Sequence, residues 1–350
     1  STPIKSSAAS DVYKRQDLGD DDMKFKNKLL FTIWTFLVLI VPINALAYSE
    51  YIIPGGDNVG IEVNSSGVLV VGFYKVNDEY IAKDSGFMIG DKIIKVNDTK
   101  ISSINEMVDV INKSETDNIV YKVERDNKEK SISLNRTSSS DGVYKTGIYV
   151  KDSILGIGTL TFVDPNTKKF GALGHEILEK TTAKKFEIKD GKIFKSDVIG
   201  VERSENGSAG EKNANYDKNK VYGNIKENTP SGIFGDYTDA LPDAKEVKVA
   251  SKDEVKVGPA TIRTVINNNE IKEYNINIIK IDKSSDIKNI LFEITDEELL
   301  KKTGGVVQGM SGSPILQNNM IVGAVTHVIV NDTKKGYGIF ITTMLKEAEN

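Results

Sequence analysis

From Tyr48 onward the apolar positions fall mostly in short runs and alternations, and seldom at helical spacing. Gly60–Val63, Gly67–Phe73, Ile119–Arg125 and Ser131–Leu134 have the short apolar or alternating pattern of strands. Between them Ile104, Met107, Val108 and Ile111 fall at i, i+3, i+4 and i+7, which is one face of a helix. Beyond Val143, strand-like runs recur between Gly, Asn and Asp turns, at Gly147–Val150, Gly158–Val163, Val247–Ala250, Ala260–Val265, Asn275–Ile281 and Ile290–Ile294. Ile315–Val325 reads as a strand, an Asn318-Asn319 turn and a second strand. A helical pattern returns only at Thr342–Glu349. The pattern predicts a small α/β module followed by a mainly β architecture of barrels.

The α/β module carries a recognisable phrase. Ser85-Gly86-Phe87-Met88-Ile89-Gly90-Asp91-Lys92-Ile93-Ile94-Lys95-Val96-Asn97 has the small-Gly-hydrophobic-x-x-Gly-Asp-x-Ile-hydrophobic-x-hydrophobic-Asn form of PDZ domains. A PDZ domain is therefore expected over residues 48–136. It would take an extended peptide as an added strand, in a groove between Gly67–Phe73 and the Ile104–Ile111 helix. The alternative is a PDZ fold that only braces its neighbour. Polar Thr137–Gly142 marks a boundary and puts a second domain at 143–350. Glu202–Asn228, rich in Asn, Lys, Gly and Glu, reads as a mobile surface insertion.

At 350 residues the chain has room for two or three domains. A net charge of −4 and a pI near 5.5 argue against nucleic acid as the main partner. Lys184-Lys185 and Lys334-Lys335 read as solvated faces. The absence of cysteine excludes disulfides, thiol catalysis and thiolate metal sites. With only His175 and His327, far apart in sequence, a zinc hydrolase is disfavoured, and no metal or organic cofactor is expected.

Near the N-terminus Lys24, Lys26 and Lys28 precede an apolar run, Leu29–Ala47, that ends in Ala45-Leu46-Ala47. Residues 23–47 thus read as a signal peptide or a membrane-anchor helix. Either puts Tyr48 onward outside the cytoplasm. Ser1–Asp22, polar and upstream of Met23, read as an extraneous leader from which no function is argued.

The chemistry is concentrated in Gly309-Met310-Ser311-Gly312-Ser313-Pro314. This G-x-S-G-x-P form surrounds the serine nucleophile of chymotrypsin-like peptidases. A serine hydroxyl needs a neighbouring base, and the nascent oxyanion needs two backbone N–H groups, here those of Gly309 and Ser311. Glycine permits the backbone angles of such a turn. The bland alternative is an ordinary Gly/Ser/Pro turn between strands. Ser313 is a competing nucleophile, disfavoured because Pro314 offers no following N–H. His175, in the glycine-flanked stretch Phe170–Ile177, lies upstream of the serine, the chain order of the chymotrypsin arrangement. His327 lies in the apolar run Ile321–Val330 and reads as a half-buried strand residue, with a substrate-side binding role as the alternative.

Several stretches together resemble the SpoIVB peptidases, the stage IV B sporulation peptidases of endospore-forming bacteria. They are Gly171–His175, Ile294-Thr295-Asp296, Lys302–Gly305, Val307–Ile315, Gly323–Val328 and Gly336–Gly338, with Ile53–Gly56, Gly67–Gly72 and Gly156–Phe162 upstream. The resemblance implies a serine endopeptidase with a chymotrypsin-like double β-barrel preceded by a PDZ domain. It implies a triad of His175 as general base, Asp296 as its orienting partner and Ser311 as nucleophile. Read from the residues alone, Thr295 or Asp296 is also a helix N-cap, and Asp236 is as good a choice for the acid. The resemblance further implies self-cleavage near the N-terminus. It also implies cleavage of a membrane-associated regulator that restrains an intramembrane protease, in the space between the membranes around the forespore. The expected partners are protein or peptide substrates and a PDZ-bound peptide, a role the chain's own N-terminal segment could fill. The rival readings are a PDZ-based adaptor with an inert protease fold and a general extracytoplasmic quality-control protease.

Overall fold

Two long strands organise the molecule. The computed structural model describes residues 48–138, 144–267 and 269–349. The 1–22 leader, the signal or anchor segment at 23–47 and the centre of the Thr137–Gly142 linker lie outside the described residues. Asn58–Phe73 and Ile148–Val163, each 16 residues, run antiparallel to one another. Their register breaks between Asn64 and Leu69. On one side of that break they belong to a barrel, and on the other to the PDZ sheet.

In the first barrel, Asn58–Asn64 pairs with Ser153–Thr159 on one edge and with Ile188–Lys195 on the other. The ring continues through Lys212–Thr229, Gly232–Tyr237 and Lys169–Ala172, which returns to the end of Ile148–Val163. Val59, Ile61, Leu160, Phe170, Ile193 and Ile225 fill it. The second barrel runs Gly258–Val265, Ile271–Ile281, Ile290–Ile294, Lys335–Phe340, Met320–Val328 and Pro314–Gln317, and closes on Gly258–Val265. Its core holds Ile262, Ile276, Phe292, Ile315 and Val325. Each such fully buried side chain contributes about 1.5–3 kcal/mol. Both barrels are antiparallel, as short strands joined by turns require. Between them the Ile341–Ala348 helix buries Met344 and Leu345 against Ile52, Phe162 and Phe234.

The PDZ sheet runs Ile148–Lys151, Leu69–Phe73, Lys92–Val96, Asn118–Arg125 and Lys128–Asn135. Its helix, Ile104–Lys113, buries Met107 and Ile111. A capping box sets the helix start: Ser103 Oγ accepts from Glu106 N at 3.2 Å and Glu106 Oε2 accepts from Ser102 N.

Two expectations need correction. The peptide groove does not border Gly67–Phe73, because Ile148–Lys151 and Lys92–Ile93 occupy the two edges of that strand. Among the described residues Ile148–Lys151 and Lys128–Asn135 are the edge strands of this sheet, and it is Ile148–Lys151 that leads into Asp152, which accepts Ile104 N at 2.8 Å at the start of the helix. Glu202–Asn228 is not a loose insertion. Lys212–Thr229 is a barrel strand, and Asn228, 6% exposed, bonds Ile177 and Phe186. The PDZ sheet and the first barrel share Asn58–Phe73, whose Asn58–Asn64 half pairs within the barrel. Lys151 reinforces this union by pairing with the buried Glu179 at 3.1 Å.

Candidate active site

The Ser311 loop bridges the Glu297–Thr303 helix and the Pro314–Gln317 strand of the second barrel, and the first barrel fixes it. Thr159 Oγ1 donates to Gly309 O at 2.8 Å, Thr159 N to Ser311 O at 2.9 Å, and Thr161 Oγ1 to Gly312 O at 2.8 Å. Both threonines are wholly buried. Gly312 has φ +93°, and a Cβ there would stand 2.1 Å from Thr159 O, so no other residue fits. With these carbonyls held, the Gly309 and Ser311 amides are left over. Among the described residues neither donates a hydrogen bond.

His175 follows the Lys169–Ala172 strand of the first barrel. Leu173 and Gly174 are both left-handed, at φ 69° and 70°, and turn the chain towards the second barrel. There Gly174 meets Thr326, and Leu173 lies against Gly312. The half-buried ring has Nδ1 at 2.8 Å from Glu176 O. A carbonyl only accepts, so the proton sits on Nδ1 and Nε2 carries the free lone pair. Burial holds the His175 pKa below the ordinary value, against the raising effect of Glu176. The ring is therefore neutral near pH 7, as a base must be.

Ser311 Oγ donates to Thr326 O at 2.9 Å. Among the described residues no hydrogen bond joins it to His175. His327, next to Thr326, stacks obliquely on His175 with ring centroids 5.2 Å apart. Burial, then the charges of His175 and Lys288, push its pKa down to about 4, and its buried Nδ1 has no partner among the described residues. Ser313 is wholly buried behind the loop, facing Thr159 Oγ1, and Ser311 is half-buried.

Asp296, the acid of the triad that the resemblance implies, bonds backbone amides among the described residues. Its Oδ1 accepts from Leu299 N at 3.0 Å as N-cap of the Glu297–Thr303 helix, and its Oδ2 accepts from Asn275 N at 3.3 Å. No hydrogen bond among the described residues links it to His175 or His327. Asp236, the alternative acid, is held by Lys169 and Lys226, which lower its pKa. The group that orients His175 is the Glu176 carbonyl, which side-chain motifs cannot reveal. Thr159 and Thr161, which support the serine loop, lie in the Gly156–Phe162 stretch that carries the resemblance, whereas Lys212 carries no signal in the sequence. Among the described residues no group of three His, Asp or Glu could hold a metal ion.

Two closed antiparallel barrels, with a histidine loop from one meeting a Gly-x-Ser-Gly loop from the other, define a chymotrypsin-like serine peptidase. The chain belongs to the SpoIVB peptidase S55 family, which it matches over residues 142–345, and residues 58–135 match a PDZ domain. It is a serine endopeptidase acting on peptide or protein substrates. No curated protein matches it. Among solved structures, the PDZ domain of an SdrC-like protein from Listeria monocytogenes is similar at 22% identity, over 25% of this chain and 90% of that one, with a TM-score of 0.21. The active form of the Rv3671c protease from M. tuberculosis is similar at 12% identity, over 54% and 70% of the two chains, with a TM-score of 0.30. Its inactive form is similar at 13% identity, over 55% and 84%, with a TM-score of 0.30.

Proposed function

We propose that Ser311 is the nucleophile and His175 its general base, and that the enzyme cuts its own N-terminal region and then a membrane-associated regulator of an intramembrane protease. The observation that carries the catalytic reading is the meeting of the two loops at Thr159, Leu173 and Thr326, with Nε2 free and two amides unpaired. Rotation of Ser311 about χ1 exchanges Thr326 O for His175 Nε2. Nε2 takes the hydroxyl proton as Oγ attacks the scissile carbonyl. The oxyanion is received by the Gly309 and Ser311 N–H groups, where loss of one donor costs about 10²–10³ in rate. The imidazolium keeps its Nδ1–H on Glu176 O and returns the Nε2 proton to the leaving amine. Water then repeats the sequence and releases the acyl group from Ser311.

In the same reading the PDZ domain takes an extended peptide, the chain's own N-terminal segment among the ligands, on the free edge of Ile148–Lys151 beside the Ile104–Lys113 helix. The enzyme works outside the cytoplasm, tethered or secreted, in the space between the membranes around a forespore, and signals in sporulation. The sequence of residues 23–47 and the family membership support this setting. The test is to express the full chain and its Ser311→Ala variant and sequence the new N-termini. Processing that persists in the variant would leave an inert adaptor as the better reading. Indiscriminate cleavage of unfolded proteins by the wild type would favour a quality-control role over a narrow regulator.

A further inference from the structure

Lys212 is 1% exposed, the one fully buried lysine among the described residues. Its Nζ contacts Thr264 Oγ1 at 3.0 Å, and no described carboxylate pairs with it. Long amines usually carry the charge out to water, and an unpaired buried ammonium is costly, so a packing role alone would be better served by methionine. Burial drives its pKa down to about 7.

The location gives the cost a use. Lys212 N donates to Gln308 O at 3.0 Å, and Gln308 N donates to Gly210 O at 2.7 Å. Because a trans peptide points its C=O and N–H in opposite directions, the Gly309 N–H faces away from the Lys212 amide that holds Gln308 O. The lysine stem lies directly under Gly309, where a Cβ would meet Lys212 Cδ at 3.1 Å. Thr264 comes from the Gly258–Val265 strand, which pairs Ile262 with Ile315 and so runs towards the serine loop. Among the described residues Thr264 is the recorded partner of the ammonium, while Gln308 meets the backbone of Lys212, Gly309 its stem and Val201 its strand, and none of these four is an acid.

We propose that Lys212 is a positioning residue of the nucleophile loop: its backbone and stem hold the Gly309 amide towards the oxyanion, and its buried ammonium stabilises the negative charge gathered there. The oxyanion is then the counter-charge that the resting fold lacks. A positive charge behind an amide acts across a low-dielectric interior, where such interactions are strong. The inference rests on Ser311 being the nucleophile.

The test uses the full chain and a fluorophosphonate probe, which forms a phosphonyl bond to the active serine with loss of fluoride and needs no known peptide substrate. Lys212→Met keeps the stem and removes the charge. The expected result is a phosphonylation rate about tenfold lower below neutral pH, less than the loss of a direct oxyanion donor, together with a higher Tm. The wild-type rate should lose its charge-dependent part as pH rises through about 7, whereas the Met variant should show no such step. A Met variant that reacts at the wild-type rate overturns the proposal. So does a uniform loss with the wild-type pH profile, which would mean packing alone. If the wild type does not react, or Ser311→Ala reacts equally, the nucleophile assignment itself fails and this inference with it.

Discussion

Asp296→Asn separates two roles for one carboxylate. In the structure Oδ1 caps Leu299 N at 3.0 Å and Oδ2 reaches Asn275 N at 3.3 Å. Asparagine caps a helix about as well as aspartate, so the change removes the favourable charge at the helix start and the long bond from Asn275 N, which an amide nitrogen cannot accept, together about 0.5–1 kcal/mol. At roughly 2–4 °C per kcal/mol, Tm falls by about 1–4 °C. Asp296→Ala loses the cap as well, about 2 kcal/mol, and Tm falls by about 4–8 °C. As the third member of a triad, the same aspartate would make the Asn change cost about 10⁴ in turnover, through the wrong histidine tautomer. Here the Glu176 carbonyl already fixes the His175 proton on Nδ1. The phosphonylation rate of the Asn variant should therefore be essentially that of the wild type. Calorimetry and probe incorporation on the same preparation settle it. An Asn variant that melts like the wild type and reacts about 10³-fold or more slowly would refute the reasoning and return Asp296 to the histidine.

Gly312→Ala should abolish probe labelling, because its Cβ would stand 2.1 Å from Thr159 O and displace the serine loop. Labelling that survives would show the loop is not held as described. Thr159→Val leaves the Gly309 carbonyl without its 2.8 Å donor and should cost about 1–3 kcal/mol in chemical denaturation, with slower labelling. Stability should also depend on the histidines, whose folded pKa values are lowered, that of His327 to about 4 from 6.5. Between those values the unfolded chain binds more protons than the folded one, so stability is complete above about 6.5 and lost as pH falls towards about 4. His327→Gln should flatten the fall in Tm over that window, and an unchanged slope would count against the buried neutral ring.

What could be read in advance was local. The serine hexapeptide, the glycine-flanked His175 and the PDZ phrase each hold their meaning within a dozen residues. Barrel closure does not. Gly60–Val63 and Gly67–Phe73 look like two strands of one module, yet they are halves of one strand in two sheets, because partners in Ile148–Val163 and Ile188–Lys195, far along the chain, set the register. Asp296 was drawn from a motif, whereas the unpaired amides of the following helix claim its side chain. Lys212 sits in an Asn- and Lys-rich stretch that reads as solvated, and only the pairing of Lys212–Thr229 into the barrel buries it.

The central claim is that Ser311 is activated by His175 at the seam of the barrels. The most direct measurement is to treat the full chain with a fluorophosphonate and locate the adduct by tandem mass spectrometry, alongside His175→Ala. One adduct is expected, on Ser311, and it is lost in the His175 variant. An adduct on Ser313 or elsewhere, or labelling of Ser311 that is indifferent to His175, would contradict it.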